Sequence, residues 1–285
     1  MTFLSWEVNL TFGILVLSTV VPEWKLTLRG FPSNSRGMTR INAIENSPTD
    51  VVVVLAAGLG SRLHSDESIP KPLRPVAGRP LLLRVLDRFS EANVSEAVIV
   101  LGYRGEEIRR HVEDSAPRLR VSFVTNPDFR LSNGLSVLAA REQVEDRTFF
   151  LSMADHIFDV EMITGLGKAA LPKDGLLLAV DRKIETIFDM EDATKVATDN
   201  GRIVRIGKTL ETFDAIDSGL FRCSPALLAA IEAKSRTRPD GDCSLSEGVE
   251  TLAKSGLARV HDIGAARWQD VDTPETEAYA EKVFG

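Results

Sequence analysis

The sequence predicts an α/β protein: a doubly wound, mostly parallel sheet with a smaller region built on a β-hairpin. Three observations predict it. Residues 51–55 are an unbroken run of four valines and a leucine, the pattern of a parallel strand buried on both faces. From there to Asp181, short apolar runs alternate with stretches of helical periodicity, as in a sheet whose crossovers are helices. After Asp181 the alternation stops, and two short runs flank Asp199-Asn200-Gly201, a turn sequence that marks a hairpin.

Each element follows from its local pattern. Residues 51–55 form the first strand, and a loop rich in Gly, Ser and Pro covers 56–75. Leu82, Val85, Leu86 and Phe89 recur at helical spacing. Strands are expected over 97–101, 119–124, 148–152 and 176–180, with helices over 106–114, 133–144 and 159–170. Residues 193–198 and 202–206 form the hairpin, and 215–222 a further strand. Helices follow over 225–234 and 245–254, then an extended segment over 258–263. The last helix has Thr273 as N-cap and Pro274 at its first position, with Glu275 and Glu277 close behind. Those residue types satisfy the free N–H groups of a helix start and oppose its dipole. No repeat or linker interrupts the chain after residue 51, so 51–285 reads as one domain.

The first fifty residues differ. Residues 8–21 form the only long apolar run, 14 residues in length, against the ~20 that cross a bilayer. Only Glu7 carries charge ahead of it, where a signal peptide has a basic stretch. The polar, turn-rich stretch 30–50 is expected to be disordered. Residues 1–50 therefore read as an N-terminal extension. Within it, 1–37 read as an upstream addition before Met38, with a weakly membrane-associating helix as the alternative.

Composition excludes several classes. The 285 residues hold 34 Lys and Arg against 41 Asp and Glu, a formal net charge of −7, with no basic footprint for nucleic acid. Aromatics at 6% argue against a stacking platform. Cys223 and Cys243 form no C-x-x-C pair, which excludes a disulfide scaffold and argues against structural zinc. The expected compartment is a reducing cytoplasm.

The chemistry begins in the first loop, LAAGLGSRL over 55–63, followed by IPKPL over 69–73. Gly58 and Gly60 let the backbone approach a polyphosphate where a Cβ would collide. Successive N–H groups in such a turn form an anion-binding nest. Arg62 adds a planar fork of donors and Lys71 a mobile point charge. Lys and Ser/Thr do not follow the second glycine, so this is not a Walker A loop. Leu63 stands where a Rossmann fingerprint has its third glycine. The strand, the glycine loop and the downstream P-K-P together make a specific pattern.

With LAAGLGSRL and PKPL, the chain from residue 51 to its end resembles the nucleotidyltransferases that join a nucleoside triphosphate to a phosphorylated sugar or alcohol. Within that family it is similar to the inositol-1-phosphate cytidylyltransferases. The segments that carry the similarity are SMADHIFD (152–159), DATKV (192–196), IGKTLETFDAIDSGLF (206–221), SLSE (244–247) and WQDVDTPE (268–275). The resemblance implies a Rossmann-like nucleotidyltransferase fold whose hairpin region is the acceptor subregion. It implies CTP and L-myo-inositol 1-phosphate as substrates, CDP-inositol and pyrophosphate as products, and Mg2+ as cofactor. Many members are fused to a membrane-embedded CDP-alcohol phosphotransferase. This chain resembles the stand-alone form, with a separate membrane phosphotransferase as a downstream partner.

The resemblance also assigns residues. Leu55, Ala56, Ala57, Gly58, Gly60 and Ser61, with Arg62 and Lys71, are nucleotide contacts, and Asn133 and Gly134 border the base. Asp155 follows the strand at 148–152, at the end that faces the crevice of an open α/β sheet. It contacts the nucleotide and is a metal ligand together with Asp270. Asp272 is a third metal candidate, at a position that is glycine in many sugar-specific relatives. A helix-capping acidic turn is the alternative for Asp270 and Asp272. Lys208 matches a lysine that contacts the acceptor phosphate. His156, Lys195, Asp214 and Asp217 complete the acceptor set, the last two as hydrogen-bond acceptors for a polyol. A salt-bridged hairpin face is the alternative for Lys195 and Lys208. Arg62, Lys71 and Lys208 are the catalytic candidates. His156 is not needed as a base, because a phosphate monoester is already anionic near neutral pH. His64, His111 and His261 lack metal spacing and are expected at the surface.

Two other readings stay open. One is a cytidylyl-, uridylyl- or guanylyltransferase acting on phosphocholine or a sugar 1-phosphate. A quaternary ammonium favours an aromatic cage, and Phe213, Phe221 and Trp268 give no sign of one. The other is a nucleotide-binding regulator that lacks catalysis.

Overall fold

The computed structural model describes residues 9–11, 14–16, 44–45, 49–60 and 69–285. It divides into two units, Met1–Ile41 and Asn42–Gly285. In the first, Asn9–Thr11 pairs antiparallel with Ile14–Val16. The reading of 1–37 as an upstream addition otherwise lies outside the described residues, as does most of the disorder expected over 30–50. Ile44–Glu45 pairs with Leu171–Pro172 of the second unit, so that unit begins upstream of residue 51.

The second unit is organised around one sheet. Its first strands are β1 (Val51–Ala56), β2 (Glu96–Leu101), β3 (Arg120–Thr125) and β4 (Phe149–Met153). After them come β6 (Leu176–Asp181), the hairpin β7 (Lys195–Asp199) and β8 (Arg202–Gly207), β9 (Ala215–Cys223) and β10 (Ala258–Asp262), while β5 (His156–Phe158) and β11 (Trp268–Asp270) form a two-stranded sheet of their own. The helices are α1 (Leu81–Glu91), α2 (Gly105–Asp114), α3 (Asn133–Ala139), α4 (Arg141–Val144), α5 (Val160–Lys168), α6 (Ala226–Ser235), α7 (Leu245–Lys254) and α8 (Pro274–Phe284).

In the sheet, β3, β2, β1 and β4 are adjacent and parallel. Then β9 runs antiparallel between β4 and β6, and β10 continues parallel to β6. The β7–β8 hairpin bridges β9 and β10. Six of the seven strands in the run β3-β2-β1-β4-β9-β6-β10 thus point one way.

The valine run explains the layering. All four valines of β1 are fully buried. Val51 and Val53 pack with α6 and α7 residues such as Leu227, Ile231 and Val249. Val52 and Val54 pack on the other face with Leu82, Leu86 and Phe89 of α1 and Met162 of α5. Burying each valine stabilises the fold by about 1.5–3 kcal/mol, so β1 fixes both helical layers at once.

The structure refines the expected elements. The helix expected over 133–144 divides at Ala140, whose backbone leaves the helical region (φ −85, ψ 2). Thr273 caps α8 by accepting from the Thr276 amide, with Pro274 at the first position. His261 is not a surface residue: it is half-buried, and a Cβ on Gly165 of α5 would lie 2.8 Å from its Nε2. His111 is exposed, and His64 lies outside the described residues. Both cysteines are buried free thiols. Among the described residues, no helix is long and apolar enough to cross a membrane.

Candidate active site

The carboxyl ends of β1, β4 and β6 border a cavity of about 660 Å3. That is the side of an open α/β sheet where ligands bind. Leu55, Ala57 and Gly58 line it from β1 and its loop. Gly60 has φ +64, and a Cβ there would lie 2.7 Å from Lys71 Cβ. The loop can therefore rest on Lys71 only with glycine at position 60. Ser61 and Arg62 lie outside the described residues. Ala56 faces the α1 layer, away from the cavity.

Lys71 is not the mobile charge expected from its loop. Its side chain is 9% exposed, and Nζ donates to Asp155 Oδ2 and Asp272 Oδ1. Burial alone would lower its pKa, but the two carboxylates outweigh burial and hold it above the ordinary value. Burial would raise the Asp155 pKa, and the Lys71 ammonium and His156 instead hold it well below the usual carboxylate range.

Two three-residue strands bring the acidic residues together. β5 pairs antiparallel with β11, and His156 sits opposite Asp270. The Val271 amide also donates to the Asp155 carbonyl at 3.0 Å. The carboxylate oxygens of Asp192, Asp270 and Asp272 lie within 4.8 Å of one another. Burial, opposed by His156 and reinforced by the Asp272 and Asp155 charges, raises the Asp270 pKa. Asp192 comes from the connection between β6 and β7 and pairs with Lys208 Nζ at 2.5 Å.

His156 stands at the centre. Its Nδ1 is 2.7 Å from Asp155 Oδ1, and its ring stacks on Trp268. Burial would lower its pKa, but the hydrogen bond and charge of Asp155 raise it. Gly219 has φ +73, and a Cβ there would lie 2.5 Å from His156 Cδ2. Asp217 also lines the cavity, accepting the Gly219 amide at 2.7 Å. Burial pushes its carboxyl up to about 6.

Other expected site residues are engaged elsewhere. Lys195 is buried, donates to the Glu191 carbonyl at 3.3 Å and does not line the cavity. Asp214 accepts from the Thr198 amide at 2.7 Å and from Arg182, bracing the hairpin outside the cavity. Of the acceptor-side candidates, those two side chains are engaged away from the cavity lining. Asn133 lines the cavity, and its Oδ1 accepts the Leu245 amide at 2.9 Å. Gly134 is a packing glycine, since a Cβ there would lie 2.3 Å from the Cys243 carbonyl oxygen.

The cavity also has walls that sequence reasoning missed. Phe188 and Tyr279 stack with centroids 4.5 Å apart, and both line it with Asp181, Lys183 and Trp268. Only proximity in space joins Phe188 to Tyr279, so no spacing could have signalled the pair. Asp192 had a signal, because it opens the DATKV segment.

Comparisons with known proteins give relatives for this geometry. Residues 52–198 match the family model of the MobA-like NTP transferase domain. The chain is 38% identical, over 81% of its length, to the bifunctional IPC transferase and DIPP synthase of Rubrobacter xylanophilus. It is 34% identical, again over 81% of its length, to the CMP-5'-(3-aminopropyl)phosphonate synthase of Streptomyces rubellomurinus. It spans 51% of the first protein and 38% of the second. Among solved structures, the inositol-1-phosphate CTP transferase from T. maritima matches with a TM-score of 0.71 and 26% identity. That match covers 83% of this chain and 98% of the other.

Proposed function

The chain belongs to the MobA-like NTP transferase family, and from that premise we propose that it transfers a cytidylyl group from CTP to L-myo-inositol 1-phosphate. The products are CDP-inositol and pyrophosphate, and residues 51–285 form the transferase domain. One observation carries the reading. The glycine loop after β1, Asp155 and His156 after β4, Asp270 and Asp272 at β11, and Lys208 with Asp217 converge on one cavity or on Lys71 beside it. The likeness to the inositol-1-phosphate CTP transferase supports the choice of substrates.

An oxygen of the acceptor phosphate attacks the α-phosphorus of CTP in line, and the bond to the leaving pyrophosphate breaks. Two polyanions must meet, so the protein contributes positioning and charge. The backbone N–H groups around Gly58 and Gly60 cradle the triphosphate. Lys71 Nζ, oriented by Asp155 and Asp272, stabilises the charge that shifts from the α-phosphate to the leaving group. Lys208 aligns the acceptor phosphate, and Asp217 accepts a polyol hydroxyl.

The carboxylates fit Mg2+, because three aspartate oxygens from Asp192, Asp270 and Asp272 can converge within 4.8 Å and Mg2+ is a hard cation that takes oxygen ligands. Asp270 and Asp272 would hold it, with Asp155 beside them and Asp192 reaching in from the acceptor side. Bound there, it supplies neutralisation of the triphosphate charge.

The test is a pyrophosphate-release screen of the four ribonucleoside triphosphates. The acceptors are inositol 1-phosphate, phosphocholine, hexose 1-phosphates and 3-aminopropylphosphonate. The Phe188–Tyr279 wall keeps phosphocholine in the set. Turnover with CTP and inositol 1-phosphate is expected. Turnover only with another acceptor overturns the acceptor assignment, and turnover with none overturns the enzymatic reading.

A further inference from the structure

Asp181 ends β6 and is 3% exposed, although it is a carboxylate. Its Oδ2 accepts the Trp268 indole N–H at 3.0 Å. Its Oδ1 accepts the Lys183 amide at 2.7 Å and meets Lys183 Nζ at 2.8 Å. Trp268 passes this constraint on. Its ring lies 16° from the plane of His156, with centroids 5.8 Å apart. Gly219 closes the imidazole edge, where any Cβ would collide. His156 Nδ1 then meets Asp155 Oδ1 at 2.7 Å, and the other Asp155 oxygen holds Lys71.

The path Asp181–Trp268–His156–Asp155–Lys71 therefore crosses from the acceptor half of the cavity to the nucleotide half. It uses two hydrogen bonds, one ring stack and one ion pair. A buried carboxylate is costly unless its partners compensate, and here the half-buried Trp268 supplies one of those partners through its indole N–H. An apolar contact at position 181 would fill the space without fixing the indole's rotation.

We propose that Asp181 is a positioning residue for the transfer reaction: through Trp268 it sets the plane of His156, and so the direction of the Asp155 carboxylate and the Lys71 ammonium. The proposal rests on the cytidylyl-transfer reading for its kinetic consequence, but not for the link itself.

The test compares Asp181→Asn, Asp181→Leu, Trp268→Phe and the Asp181→Leu/Trp268→Phe double variant in the full chain. Trp268→Phe keeps an aromatic face for His156 but has no N–H for Asp181. Asp181→Leu and Trp268→Phe are each expected to lower kcat about tenfold or more, with the KM for CTP changed by less than about twofold. The double variant falls no further than the worse single one, because both cut the same link. Asp181→Asn has one accepting oxygen for the donors of both Trp268 and Lys183, and its kcat is expected to fall between those of the wild type and Asp181→Leu. The indole N–H resonance of Trp268, assigned by its loss in Trp268→Phe, reads the link without turnover. It is expected to shift in Asp181→Leu and in His156→Leu. Losses that multiply in the double variant, or an indole resonance unmoved by Asp181→Leu, overturn the proposal. If Asp181→Leu does not fold, Trp268→Phe and His156→Leu decide it: wild-type kcat in Trp268→Phe, or an indole resonance unmoved by His156→Leu, overturns the proposal. If the wild-type chain turns over no substrate pair, the function reading fails, and the indole resonance still decides the link.

Discussion

The two halves of the cavity that the proposed reading gives to nucleotide and to acceptor are built in opposite ways. The nucleotide half is local: Leu55, Ala57, Gly58 and Gly60 belong to one strand and the turn that leaves it, and Lys71 lies a short way further along the chain. It rests on β1, the strand that joins both helical layers. The acceptor half is assembled from β5, β9, β11 and the connection that carries Asp192, segments with no contact along the chain. Lys71 is the seam, because one ammonium holds Asp155 and Asp272. A half built on the core strand tolerates little change. A half assembled from short peripheral pieces depends on contacts between segments that are distant along the chain.

The largest expected effect breaks the seam. Asp155→Asn removes the charge that Lys71 and His156 share, and should lower kcat by about 10²–10³ while the protein stays folded. Steady-state kinetics beside circular dichroism check this, and a folded variant with wild-type kcat would show that the seam is not used in turnover.

Next in size is a test of the division itself. Lys208→Ala should raise the KM for the acceptor and leave that for CTP nearly unchanged, since the proposed reading gives Lys208, which lines the cavity and pairs with Asp192, to the acceptor. A lost charge-assisted hydrogen bond costs about 1.5–3 kcal/mol, which steady-state kinetics with each substrate varied resolves. A change confined to CTP would reverse the two halves.

A smaller pair of variants sharpens the comparison. Gly60→Ala and Gly219→Ala each force a positive φ and a Cβ contact below 3 Å, with a backbone cost of about 1–2 kcal/mol. Denaturant midpoints should fall in both. Binding by calorimetry should weaken for CTP in Gly60→Ala, where Lys71 is displaced, and for the acceptor in Gly219→Ala, where His156 is displaced.

The smallest effect is one of pH. The folded-state pKa of Asp217, about 6, lies above its unfolded value. Its charged form is therefore penalised in the folded state. Stability is greatest below the unfolded pKa of about 4 and falls as pH rises through about 6. Asp217→Asn removes that titration. Urea midpoints of the variant should gain on the wild type between those values and hold a constant difference above them. A difference that does not change with pH would place Asp217 in water.

The sequence was most legible where the information is contiguous. The valine run, the glycine loop and the Thr273–Pro274 cap each show their physical reason within a few residues, and each occurs in the structure as an element or a cap. Asp155 and Asp270 were legible as chemistry but not as neighbours. β5 and β11 have three residues each, too few to display a strand's period of two. Lys195 and Asp214 looked like acceptor contacts because they lie in DATKV and in the 206–221 segment, which carry the family resemblance. Their side chains turn instead to the Glu191 carbonyl and to Thr198 with Arg182. Asp181 and the Phe188–Tyr279 stack left no trace in spacing.

The sequence by itself determined the α/β alternation, the glycine turn after β1 and the inventory of charged groups. These follow from the period of apolar residues and from what glycine permits at one position. Only the tertiary structure decided which of those groups meet. A strand as short as β5 cannot stabilise itself and takes the partner that the rest of the folded chain brings to it, and that partner is β11. That pairing, and not any motif, brings Asp270 opposite His156 and lets one lysine hold two distant aspartates.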